Sequence, residues 1–234
     1  MSGLFVTGTD TGVGKTIVTA ALAAALHARG MRVGVMKPAE SGCMLENGQL
    51  QPADALFLRA AASCTAPLEL ISPYTFEQPL TPALAAEQAD ITIDIEHICA
   101  CYARLSADHD LVLVEGAGGL LAPLTAHLSM HDLATRLGLP VLIVARNILG
   151  VINHTALTVT VAQLTLSVVG IVLNDLNPLV HPAEETNAAA LERWGRAPLL
   201  GRLPYTTHFD LDALRMLGAQ IDLDRLLAAL TAAG

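Results

Sequence analysis

Residues 8–16 read Gly-Thr-Asp-Thr-Gly-Val-Gly-Lys-Thr, between the apolar run Leu4-Phe5-Val6 and the run Ile17-Val18-Thr19-Ala20-Ala21-Leu22. A strand, a glycine-rich turn, a Lys-Thr pair and a helix are the parts of a phosphate cradle. Gly12 and Gly14 let the backbone turn its N–H groups inward, and a helix beginning near Lys15 adds its positive dipole end. In such a cradle Lys15 reaches the β- and γ-phosphates, and the Thr16 hydroxyl binds Mg²⁺. The spacing departs from the strict motif, because Gly8 is followed by five residues before Gly14. The pattern predicts a nucleoside triphosphate held by Gly12, Val13, Gly14, Lys15, Thr16 and Ile17.

Other chemistry-bearing residues follow apolar runs. Lys37 opens the segment Lys37-Pro38-Ala39-Glu40-Ser41-Gly42 after Val33 to Met36. A lysine there adds positive charge where a γ-phosphate transfers; position alone equally allows a surface lysine before a proline turn. Glu115 ends Leu111 to Val114 and precedes Gly116-Ala117-Gly118-Gly119. An acid so placed commonly holds Mg²⁺ in phosphate-loop proteins, and the glycines suit close approach of backbone to a ligand. Asp54 is either a second metal carboxylate or, taken alone, a first-turn acid complementing a helix dipole. Gly150, Val151 and Asn153 lie at the start of an uncharged helix, whose N–H groups suit a carboxylate. Asn174 and the segment Gly201-Arg202-Leu203-Pro204 could flank a base, or serve as turns. His127 and His131 have metal-ligand spacing if they share a helix. The residues between them supply no carboxylate, so a solvated helix start is favoured. Ser41 and Ser129 lack a Gly-x-Ser-x-Gly setting, so nothing supports a serine hydrolase.

These residues need a scaffold, and the pattern provides one. Strand-like runs at Leu4 to Val6, Val33 to Met36, Leu111 to Val114, Val141 to Ala145, Val168 to Leu173 and Leu199 to Leu203 alternate with Ala- and Leu-rich segments. Those helical segments are Thr16 to Arg29, Ala53 to Ala62, Ile93 to Leu105, Asp132 to Leu137, His154 to Leu166, Pro182 to Trp194 and Asp222 to Ala233. The alternation predicts an α/β fold, a mostly parallel sheet with helices on both faces, as one domain over residues 1–234. Ligands in such folds gather outside the carboxyl ends of the strands, where the residues above fall.

Hydrophobic residues make up 53% of the 234-residue chain. The stretch from Asn147 to Asn174 is free of Asp, Glu, Lys and Arg, but polar residues recur through it. A buried helix and strand explain it better than a membrane span. The formal charge of −9 argues against nucleic acid. No basic n-region precedes an apolar stretch at the N-terminus, so a cytoplasmic location is expected. Cys43, Cys64, Cys99 and Cys101 show no Cys-x-x-Cys spacing and read as reduced thiols rather than metal ligands.

Together the motifs resemble those of the dethiobiotin synthetases over nearly the full length. The match rests on Val6 to Thr16, Lys37-Pro38 with Ser41-Gly42, and the Tyr74-Thr75-Phe76 and Pro79-Leu80-Thr81-Pro82 region. It continues through Val114 to Leu120, Leu149 to His154 and Val172-Leu173-Asn174. The five-residue gap in the phosphate loop is this family's own spacing. The resemblance implies a three-layer P-loop NTPase-type fold of the SIMIBI class and a homodimer using ATP and Mg²⁺. It implies that CO₂ closes a ureido ring on 7,8-diaminononanoate through a carbamate that ATP phosphorylates. Lys15 and Lys37 would stabilise the transferring phosphoryl group and the carbamate, with Thr11 and Ser41 contacting carbamate or substrate. Thr16, Asp54 and Glu115 would hold Mg²⁺, and Gly118 would belong to the nucleotide site. The backbone at Gly150, Val151 and Asn153 would receive the substrate carboxylate; Asn174 and Pro204 would border the adenine. Glu40 departs from a small or neutral residue, and is expected to point away from the carbamate.

Two other readings compete. A cobyrinate-type amide synthase would need a glutamine-hydrolysing domain, for which the chain has neither the length nor an evident Cys/His pairing. A partitioning or division-site ATP switch would carry a lysine at the start of the phosphate loop, where Asp10 stands.

Overall fold

The six long apolar runs form the six strands of one sheet. The computed structural model describes residues 3–178 and 182–233; the expected domain span of 1–234 also includes residues outside these. In chain order, β1 (Gly3–Gly8) leads through the phosphate-loop segment into α1 (Lys15–Ala28) and β2 (Val33–Met36). Short elements follow: β3 (Ala39–Ser41), and the hairpin β4 (Met44–Glu46) and β5 (Gln49–Gln51). Next come α2 (Ala53–Ala61), α3 (Leu68–Ile71), β6 (Tyr74–Phe76), α4 (Pro82–Gln88) and α5 (Ile95–Asp108). From β7 (Leu111–Glu115) onward the chain alternates α6 (Met130–Leu137), β8 (Val141–Arg146), α7 (Val151–Ala162) and β9 (Val168–Asn174). It closes with α8 (Pro182–Trp194), β10 (Leu199–Leu203), α9 (Leu211–Gly218) and α10 (Leu223–Ala233).

The sheet order is β10-β9-β8-β1-β7-β2, and every pairing within it is parallel. Every residue of β1, β2 and β7 is buried, which is why these strands read as unbroken apolar runs. The crossover from β1 runs through α1 to β2 and that from its neighbour β8 runs through α7 to β9 on the other side, so the two diverge and a crevice opens at the carboxyl ends. The register places Val6 opposite Glu115 and Gly8 opposite Val144, aligning the phosphate loop and Glu115 on one rim.

Several expected boundaries move. The helix assigned to His154 begins at Val151, with Gly150 as a left-handed cap, and the one assigned to Asp132 begins at Met130 in a Ser129–Asp132 capping box. His127 therefore lies outside α6 and shares no helix with His131, whose Nε2 is 2.9 Å from Thr165 Oγ1. The stretch from Asn147 to Asn174 contains α7 and β9, and among the described residues no helix is long and apolar enough to cross a membrane.

Candidate active site

Gly14 caps α1 at φ 87, a left-handed conformation in which a side chain is strained. A Cβ there would also come within 2.0 Å of Asn174 Nδ2, which donates to the Val13 carbonyl at 3.0 Å. Asn174 thus fixes the loop from the end of a strand 161 positions away. Gly14 offers no side-chain cap, so the first-turn N–H groups of α1 are left for a ligand. Lys15 folds back over the loop, its Nζ donating to the Asp10 carbonyl at 3.1 Å.

Thr16 and Lys37 converge on Glu115, which is fully buried. Glu115 Oε1 accepts the Thr16 hydroxyl at 2.8 Å and Lys37 Nζ at 2.6 Å, while Lys37 also lies 2.9 Å from Asp54 Oδ2. Burial alone would depress the Lys37 pKa, but Glu115 and Asp54 outweigh it and hold the ammonium above its ordinary range. For Lys15 burial prevails: together with the Lys37 charge it lowers the pKa to about 8, despite opposition from Glu115, Asp10 and Asp54. The site therefore holds one firmly charged lysine and one whose charge is costly without an anion.

Glu40 turns its carboxylate to the start of α2, where its oxygens accept the Asp54 and Ala55 N–H groups at 2.8 and 3.0 Å. Pro52, the cap residue, has no side-chain hydrogen bond to give, so Glu40 serves as the cap from 14 residues away. It thereby seats Asp54 beside Lys37. Burial raises the Glu40 pKa, with the two N–H groups opposing.

A cleft of ≈ 390 Å³ is lined by Thr11, Gly12, Gly14, Lys15, Thr16, Ile17, Lys37, Glu40, Ser41, Asp54, Glu115 and Gly118, among others. An adjoining cleft of ≈ 330 Å³ contains Ile17, Asn174 and Pro204. Val13 is buried and contributes its carbonyl to Asn174. Gly150, Val151 and Asn153 line neither cleft; α7 starts after the carboxyl end of β8, next to β1. Arg202 turns to Asp175, its Nε 2.8 Å from Oδ2. Sequence reasoning missed Asp175, Leu176, Tyr205, Thr206, Thr207 and Phe209, which line the second cleft. Their position just after β9 and β10 was the available signal.

A parallel sheet whose central strand feeds a glycine cradle, with a lysine, a threonine and a buried acid beside it, defines a P-loop nucleotide-binding protein. A family model described as an AAA domain matches residues 2–211. An ATP-dependent dethiobiotin synthetase of Anaeromyxobacter sp. (strain K) is 48% identical over 206 residues, covering 88% of this chain and 91% of its own. That of Nitrosospira multiformis is 44% identical over 227 residues, 96% of each chain. The chain belongs to the ATP-dependent dethiobiotin synthetase family, the ATP-dependent ligases of biotin biosynthesis. The septum site-determining protein MinD of Pyrococcus horikoshii, solved with Mg-ADP, shares the fold at TM-score 0.56 and 16% identity, covering 100% of this chain and 97% of its own.

Proposed function

We propose that this protein carboxylates 7,8-diaminononanoate with CO₂ and closes the ureido ring at the expense of ATP. The observation that carries the proposal is the convergence of Lys15, Lys37, Thr16 and Glu115 on one cleft. A carbamate and a γ-phosphate are both anionic, and bringing them together needs concentrated positive charge. Lys37, held charged, faces the carbamate and the transferring phosphoryl group, with Thr11 and Ser41 along the same cleft. Lys15 and the loop N–H groups receive the phosphates. A second amine then attacks the phosphorylated carbamate, the new C–N bond forms, and phosphate leaves.

Mg²⁺ fits the donors present. Glu115 Oε2 is buried without a hydrogen-bond partner among the described residues, and Thr16 and Asp54 add further oxygens. One or two carboxylates, a hydroxyl and substrate phosphates are the usual Mg²⁺ set. Held by Thr16, Asp54 and Glu115, Mg²⁺ would supply positive charge that offsets the phosphates. Asn174 and Pro204 border the adenine, and the α7 start at Gly150, Val151 and Asn153 receives the substrate carboxylate. A cytoplasmic homodimer completes the proposal; Leu157 on α7, Leu149 before it and Leu164 after it are exposed by 58, 80 and 75%, apolar surface that supports it.

The test is incorporation of labelled bicarbonate. Label should enter an organic product only when diaminononanoate, Mg²⁺ and ATP are all present. No incorporation by protein that still binds ATP would favour the switch reading instead.

A further inference from the structure

A separate cleft of ≈ 580 Å³ opens at the rim opposite the phosphate loop, where α1, α2 and α5 end and β2 begins. Cys64 stands in it with its Sγ 3.5 Å from His109 Nε2. His109 Nδ1 lies 2.7 Å from the Leu105 carbonyl, which can only accept, so Nδ1 carries the ring proton. Nε2 therefore presents its lone pair to the thiol. A nucleophile, a base, and a third group orienting the base is the arrangement that activates a cysteine.

The surroundings are shaped for this pair. A Cβ on Gly34 would come within 3.0 Å of His109 Cγ and Nδ1, so the bare backbone of β2 makes room for the ring. His109 is also the residue that ends α5. The charged and titratable groups lining the cleft are His27 from α1, Arg32 beside β2, and Arg104 and Asp108 from α5. Arg32 is tied to Asp110. With Arg32 held by Asp110, and Asp108 lining the cleft beside Arg104, the charges at this rim balance. Burial pushes the other three thiols up, that of Cys43 to about 11.

We propose that Cys64 and His109 form a thiolation site that exchanges with low-molecular-weight disulfides. The thiol proton passes to His109 Nε2, and the Cys64 sulfur attacks one sulfur of the disulfide. A bond to Cys64 forms as the disulfide's own S–S bond breaks, and the departing thiolate takes the proton back from His109. Cys64 is oxidised and the leaving sulfur is reduced, so no other oxidant is required. The site is independent of the ligase chemistry.

The full-length folded protein is treated with glutathione disulfide, or with the neutral 2-hydroxyethyl disulfide, and adducts are located by peptide mass spectrometry. Rates are normalised to each reagent's rate with a free peptide thiol. With either reagent Cys64 should react about tenfold faster than Cys99, and about tenfold slower in His109→Gln. Similar rates at all four cysteines, or a His109→Gln rate equal to wild type, would overturn the site. Should His109→Gln fail to fold, wild-type Cys64 alkylation by iodoacetamide decides. Alkylation at neutral pH about tenfold faster than at Cys99 supports the pair, whereas equal rates at the two thiols overturn it.

Discussion

Lys37 Nζ and Glu115 Oε1 lie 2.6 Å apart, a buried ion pair joining the ends of two adjacent strands. Glu115 also takes the Thr16 hydroxyl, so the proposed metal acid and the proposed transfer lysine share one oxygen. Without ligands each neutralises the other; a cation at Glu115 would free the ammonium to face an anion.

Replacing Lys37 should therefore separate chemistry from binding. Lys37→Met is expected to lower kcat by about 10²- to 10³-fold, the usual loss of one preorganised electrostatic group. ATP affinity, measured by calorimetry, should change by less than about threefold, because the loop N–H groups and Lys15 remain. Equal losses in both would reduce Lys37 to a binding residue.

Lys15 should couple nucleotide binding to protons. Its pKa is lowered to about 8 from the ordinary 10.5, so between these values the unfolded chain holds a proton that the folded one lacks. Its contribution to stability accordingly rises with pH across that window, and its burial cost is fully present below it. Bound phosphates would restore the charge. Calorimetry at pH 8.5 in buffers of different ionisation enthalpy should show proton uptake with ATP, absent at pH 6.5. No uptake at the higher pH would mean that Lys15 is not the phosphate contact.

Glu40 should act through Asp54. Glu40→Ala removes both acceptors at the start of α2 and is expected to weaken Mg²⁺ activation while costing about 1 kcal/mol of stability as a lost cap. Because the folded Glu40 pKa lies above the ordinary 4.5, its charge is disfavoured in the folded state. Stability relative to Glu40→Gln should fall as pH rises from about 4.5, and urea midpoints between pH 4 and 7 would show it. A pH-independent difference would contradict the burial argument.

Gly14→Ala tests the cradle itself. The left-handed φ and the 2.0 Å approach of Asn174 Nδ2 combine against any side chain. The variant should lose nucleotide binding and more than about 1 kcal/mol of stability, measurable by titration and thermal melts. Near-normal ATP affinity would show that the loop need not keep this shape.

The large strands were legible because burial on both faces leaves apolar runs with few rivals; β7 differs only by taking in Glu115. Lys37 and Glu115 were readable because strand carboxyl ends concentrate ligands. The three-residue strands β3 and β6 were not, having too little length for any period to show. The β4–β5 hairpin was signalled by Asn47-Gly48, a turn pair whose residues both adopt positive φ. Helix α9 carried its own signs in the Asp210 cap and in Leu211, Leu214 and Leu217. Glu40 lines the cleft while its carboxylate is bonded to the start of α2, and no local pattern discloses a cap supplied from another segment. The carboxylate role of Gly150, Val151 and Asn153 is a proposal that rests on the resemblance.

The Asn174–Val13 bond has a bearing on synthesis. A ribosome emits the glycine turn early, yet its tether lies most of a chain-length downstream. Until that asparagine emerges and its strand docks, the nascent polypeptide carries a phosphate-gripping motif with no fixed shape. Competence to hold fuel thus arrives late in translation, and a truncated product would be inert.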